Sequence, residues 1–183
     1  MRCSAQLLLG TNPLAVEEPA YRSVLRVGAF EIRDYPTLIV AEVSVSGDQK
    51  EAAGSGFRLL AGYIFGGNTR RQSIAMTAPV TQVQSAGKWI VRFTMPSAYS
   101  MATLPEPNDP NVHLRAVPAT RFAVLKFSGL AGKEDVTAKA ARLEGLVSTH
   151  NLSATGPVSL AQYDPPWTLW FMRRNELMLP VAP

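Results

Sequence analysis

Few side chains in this sequence are of a type and spacing that could do chemistry. Metal capture by imidazole needs several converging ligands, and the only histidines are His113 and His150. His113 falls in an alternating, strand-like stretch, and His150 near the end of a helical one, where a cation would favour the helix dipole. A lone Cys3 close to the N-terminus has no catalytic partner and no second thiol to pair with. Gly54-Ser55-Gly56 lies inside a helical pattern rather than on a strand-to-helix elbow, and Gly66-Gly67-Asn68 lacks the following Lys-Ser/Thr of a phosphate loop. No acid–base pair, nucleophile or metal cluster emerges, so the chain is expected not to be an enzyme. The arginines are more suggestive. Arg58, Arg70, Arg71, Arg173 and Arg174 carry guanidinium groups suited to bidentate pairing with carboxylates, and Arg58 borders the apolar pair Phe57 and Leu60. Six methionines, with Met76 in the run IAMTAPV (74–80), could shape a soft apolar pocket or simply fill the core.

The elements that must position these groups come in two copies. The stretch EIRDYPTLIVAEVSVSG (31–47) aligns without gaps on HLRAVPATRFAVLKFSG (113–129) at a constant offset of 82, with 5 of 17 positions identical. Such internal similarity reports a duplicated supersecondary unit. Alternation marks strands in each copy: Phe122, Val124 and Lys126 point one way, Ala123, Leu125 and Phe127 the other. Pro36 and Pro118 suit a hairpin turn or bulge between two strands. A helix follows each Ser-Gly. In the first copy Asp48 and Glu51 form a capping pattern, Ala53, Phe57, Leu60 and Ile64 build one apolar face, and Gly66-Gly67 stops the helix. Val136, Ala140, Leu143 and Val147 repeat that spacing in the second copy. Two strands come after each helix, near 72–83 and 88–95, then 157–163 and 167–179.

The derived fold is α+β: a strand-strand-helix-strand-strand unit used twice, forming a distorted, barrel-like antiparallel sheet with two flanking helices. Residues 1–20 read as a flexible tail and 21–183 as one domain, with half-repeats at about 21–95 and 112–180. The proline-rich stretch 96–111 between them is a linker or a lid over a pocket. Length and composition agree, since 183 residues with 46% hydrophobic and 17% charged side chains suit a globular domain. A net charge of +4 favours anionic ligands without amounting to a nucleic-acid signature. No stretch approaches the ~20 apolar residues of a membrane span. The compartment stays open: cytoplasmic by default, periplasmic or exported if Leu7-Leu8-Leu9 is the remnant of a signal peptide.

Several stretches together resemble the SOUL/heme-binding protein family. They are AFEIRDYPTLIVAEV (29–43), GFRLLAGYIFGGN (56–68) running into IAMTAPV, FTMPS (93–97), FAVLKFSG (122–129) and YDPPWTLWFMRRNELML (163–179), spanning about residues 21 to 180. The resemblance implies a duplicated, distorted barrel and kinship with bacterial effector-binding domains. For function it implies non-catalytic binding or carriage of heme or protoporphyrin in an apolar groove beside the first helix, with basic side chains near the propionates. Phe57, Arg58, Leu60, Ala61, Ile64 and Met76 are the residues expected to line that groove. His113 and His150 are possible axial ligands, because a heme iron takes only one or two. The sequence departs from the better-known members in placing Gly54, Leu59 and Thr168 where those carry basic residues, with Arg58 one position away. Several hundred Å2 of flat apolar ring, at ~25 cal/mol/Å2, would supply on the order of several kcal/mol before the costs of association, so iron ligation is optional. The alternative is a binding module for another hydrophobic small molecule or for a protein partner.

Overall fold

The computed structural model describes residues 16–165 and 168–183. Nine strands and two helices follow one another as β1 (Arg22–Val27), β2 (Phe30–Tyr35), β3 (Leu38–Val45), α1 (Gln49–Ile64), β4 (Val80–Ser85), β5 (Lys88–Thr94), β6 (His113–Val117), β7 (Thr120–Ser128), α2 (Lys133–Thr149), β8 (Ser159–Gln162) and β9 (Arg174–Val181). All strands join one antiparallel sheet in the order β1-β2-β7-β9-β8-β4-β5-β3-β6. This corrects the expected barrel. Among the described residues β1 and β6 are free edges that do not pair with each other, and both carry arginines, Arg22 and Arg26 on one and Arg115 on the other, which discourage further edge pairing.

Pro36 does not close a hairpin. The strands on either side of it go to different neighbours, β2 to β7 and β3 to β6. The two stretches that match at an offset of 82 therefore interlock: the leading strand of each pairs with the second strand of the other. The registers correspond, Arg33 lying opposite Phe122 and Arg115 opposite Val40. β1 has no counterpart at the other end of the sheet, and no periodicity announced it.

Both helices pack on one face of the sheet, α1 over β3 and β5 and α2 over β7 and β9. The Asp48 side chain accepts from the Glu51 amide at 2.8 Å and the Glu51 carboxylate accepts in return from the Asp48 amide, the reciprocal cap that the spacing predicts. The buried stripe of α1 is Ala52, Gly56, Leu60, Tyr63 and Ile64, rotated by one residue from the expected one. Gly56 is the reason. A Cβ there would sit 2.5 Å from Val91 Cγ2, so the missing side chain lets the helix settle onto the sheet and turns Ala53 and Phe57 to the margin. In α2 the expected residues hold, with Leu143 and Val147 buried and Val136 and Ala140 packed beside them.

Two boundaries differ from expectation. Of the stretch 72–83, only Val80 onward is strand; residues 72–79 run as connecting chain with Ile74, Thr77, Ala78 and Pro79 buried. The last strand begins at Arg174, after a 3-10 turn at Trp170–Met172. The proline-rich loop covers the end of α1: Leu104, and Val112 just after the loop, join its core, the Tyr63 hydroxyl donates to the Pro105 carbonyl at 2.9 Å, and Asn108 N donates to Gly67 O.

Candidate functional site

Strand alternation assigns the site. Odd residues of β3 and β5 (Ala41, Val43, Val91, Phe93) face the helices, so Leu38, Val40, Glu42, Ile90, Arg92 and Thr94 face away from them. Carried through the register, the same rule puts Glu31, Arg33 and Tyr35 of β2, Phe122 and Val124 of β7, and Glu176 and Met178 of β9 on that helix-free face. The curved sheet encloses a groove of about 400 Å3 there, within the range of small-molecule sites. Leu38, Val40, Val83, Ile90, Phe122 and Met178 supply apolar walls, so strands of both halves contribute. A hollow of similar volume below the end of α2 is shallow and edged by Glu144, Ser148, Asn151 and Ser153.

Two ion networks flank the groove. On one side Arg33, 1% exposed, donates to Glu31 at 3.0 Å and bidentately to Glu176 at 2.7 and 3.0 Å, and its guanidinium also donates to the Tyr35 hydroxyl. Tyr163 donates to Glu176 at 2.6 Å, Lys126 and Arg26 complete the shell of Glu31, and the Tyr21 ring lies over the Arg33 guanidinium. Burial alone would push the Glu31 carboxyl up. Hydrogen bonds from Ser23, Arg26, Lys126 and Arg33 outweigh burial and hold it at about 2. Burial would likewise lower Arg33, but its bonds to Glu176 prevail and keep it cationic. Burial pushes the Tyr35 phenol up to about 12, so it stays protonated. On the opposite side Glu42 is clasped by Arg92, at 2.8 Å, and by Arg115.

Within these networks three carboxylates, Glu31, Glu42 and Glu176, meet five cations, Arg26, Arg33, Arg92, Arg115 and Lys126. The face therefore carries surplus positive charge beside an apolar trough, and Arg92 lines the trough itself. That arrangement can hold a flat apolar body and neutralise its carboxylates. Among the described residues it offers iron little: Met178 is the only sulfur in the lining, and no imidazole is part of it. The donor set suits acid groups held beside apolar surface better than it suits an iron ligand.

The residues expected to form a site are scattered. Leu60 and Ile64, at 0% and 1% exposure, pack into the core between α1 and the sheet. Met76 packs at the edge of that core and Ala61 is half-buried. Phe57 is exposed and meets Phe93 edge-on at 5.3 Å, while the exposed Arg58 bonds only its own helix, at Ser55 Oγ. His113 is exposed on the edge strand beside Glu42. His150 caps α2, its Nδ1 2.8 Å from the Leu146 carbonyl and its ring 4.8 Å from Phe30. Sequence reasoning did not single out Arg92, Arg115 or the groove, although β3 and β5 held the signal: Glu42 and Arg92 each stand between two apolar neighbours.

Among the described residues no group of three His, Cys, Asp or Glu could hold a metal ion, and no helix is long and apolar enough to cross a membrane. A sequence model of the SOUL heme-binding protein family matches residues 16–180. No curated protein matches the chain. Among solved structures, the C-terminal domain of EcmrR superposes with a TM-score of 0.61 at 13% identity, covering 88% of this chain and 98% of that one. A Listeria innocua protein described as a hydrolase gives 0.59 at 15% identity over 84% of this chain and 91% of the other. An uncharacterized conserved protein of Listeria innocua gives 0.60 at 16% identity, over 84% and 92%. At such identities the likeness is one of fold alone.

Proposed function

Because the chain belongs to the SOUL heme-binding protein family, we propose that it binds heme or a related tetrapyrrole, without catalysis, in the groove on the helix-free face of its sheet. The observation that carries the reading is the union of an apolar trough with a cationic wall: Val83, Ile90 and Met178 for the ring, Arg92 with Arg115 beyond it for the propionates. Burial of ring surface supplies the affinity and the arginines fix the orientation. Ligand uptake in this reading does not depend on an axial bond, so metal-free protoporphyrin and hemin bind comparably.

The test is titration of both ligands into wild type, Ile90→Asp and Phe57→Ser. Ile90 lines the groove on a half-buried strand position, whereas Phe57 lies on the opposite face. Loss of the Soret shift and of porphyrin fluorescence quenching in Ile90→Asp alone supports this site. Loss in Phe57→Ser alone returns the site to the first helix. If wild type binds neither tetrapyrrole but is stabilised thermally by another apolar ligand, the tetrapyrrole reading is wrong and the general binding module is right.

A further inference from the structure

The chain enters β1 by way of residues 16–21, a run that crosses the helix-free face of the sheet without belonging to it. Its contacts fall at both ends. Beside β4 and β5, the Glu17 carbonyl accepts from Ala78 N at 2.9 Å and the Glu17 carboxylate from Ser97 N at 2.8 Å. Glu18 then pairs with Arg174 at the start of β9. The Tyr21 ring lies over the Arg33 guanidinium, 4.2 Å from it, and meets the Tyr35 ring at 5.2 Å. Arg33 and Tyr35 belong to β2, so the run links strands that the sheet order holds far apart.

Both anchors border the groove. Pro79 lines it next to Ala78, Thr94 lines it just before the turn to Ser97, and Tyr35 lines it in contact with Tyr21. Between the anchors Pro19 is itself part of the wall. The run is therefore a strap at the rim of the groove, standing on residues that a ligand there would touch. It is held lightly. None of residues 16–21 is buried, Val16 and Tyr21 being 51 and 38% exposed, and the attachments are hydrogen bonds, one exposed ion pair and one ring contact. A segment with so little apolar burial opens at a small fraction of the cost of global unfolding. Opening leaves the ions beneath it paired, because Arg33 keeps Glu31 and Glu176.

We infer that residues 16–21 are a latch on the groove, opening and closing as one unit, and that closure slows the escape of a bound ligand. By linkage, a ligand that binds the closed form more tightly holds the strap closed by the same factor. The inference rests on the groove being the ligand site and adds to that reading what controls release.

Two measurements on the full chain test it. Amide hydrogen exchange at Ala78 and Ser97, both donors to Glu17, reports opening in the absence of any ligand. Transfer of protoporphyrin to excess apomyoglobin reports release. Tyr21→Ala frees the end of the strap that lies away from Ala78, and is expected to speed both exchange at Ala78 and protoporphyrin release by at least ~fivefold, with an unchanged circular dichroism spectrum. Glu17→Ala alters no residue of the groove lining and should speed release to a similar extent. Arg22→Ala, just beyond the strap, removes a surface pair with Asp34, which keeps Arg121, and should change neither rate. Unchanged exchange at Ala78 in Tyr21→Ala would overturn the latch, because its two ends then move independently. Faster exchange with unchanged release in both strap variants would overturn its hold on the ligand. If wild type takes up no protoporphyrin, the tetrapyrrole reading fails by itself, and exchange at Ala78 alone decides the latch.

Discussion

Arg92→Ala removes one of the two arginines that clasp Glu42 and, among the described residues, takes from the groove the only arginine that lines it. Arg92 Nε lies 2.8 Å from Glu42, and its side chain is 32% exposed, so water screens part of whatever it gains from a ligand carboxylate. A charge-assisted hydrogen bond discounted for that exposure is worth about 1–2 kcal/mol, or roughly a 5- to 30-fold loss of affinity. The fold should tolerate the change, because Glu42 keeps Arg115 and no buried carboxylate is left unpaired. Fluorescence titration of protoporphyrin and absorbance titration of hemin measure the loss, and repeating them at raised salt should show a flatter salt dependence than wild type. The dimethyl ester of protoporphyrin supplies the control, since it lacks the charge that Arg92 would meet. Wild type and variant should bind the ester alike. Equal affinity of both proteins for the free acid, or an equal loss for acid and ester, would refute the assignment of Arg92 to a propionate.

Three further outcomes are expected from the packing and the ion networks. Gly56→Ala forces a Cβ to within 2.5 Å of Val91 Cγ2 and should destabilise by about 1–3 kcal/mol in urea unfolding; adding Val91→Ala should recover part of that loss rather than add its own in full. Glu176→Gln leaves the buried Arg33 with Glu31 as its only carboxylate and should cost about 3–5 kcal/mol, a fall of roughly 6–20 °C in Tm; a change below ~1 kcal/mol would mean the network contributes little. Glu31, lowered from 4.5 to about 2, binds its proton more readily unfolded than folded. It thus contributes about 3 kcal/mol above pH ~5 that is lost as pH falls from about 4.5 towards 2, and Glu31→Gln should flatten that part of the pH–stability curve.

What could be read in advance was whatever local sequence determines. The Asp48–Glu51 cap and the alternation in β7 are set by near neighbours, and both stand where expected. The stripe of α1 slipped by one residue because its partner decided it: Val91, distant in sequence, meets Gly56 and makes the smallest residue the centre of the contact. Closure of the sheet likewise depends on strand pairings across the chain. Nothing near Pro36 says that its flanking strands part company, and a hairpin turn or bulge was the local solution. The site suffered most, since apolar residues on a helix are ambiguous between core and ligand until their cover is known. Leu60 and Ile64 went to the core, and the polar residues beside the groove, Glu42, Arg92 and Arg115, lie on three different strands that only register brings together.

Because β2 lies against β7 and β6 against β3, neither half of this protein owns a finished sheet. Severed anywhere in the proline-rich connection, each fragment would lack the border strand that the other supplies and present a bare row of amides where it belongs. The halves are thereby obliged to fold as one cooperative body, and the trough between them exists only once both have arrived.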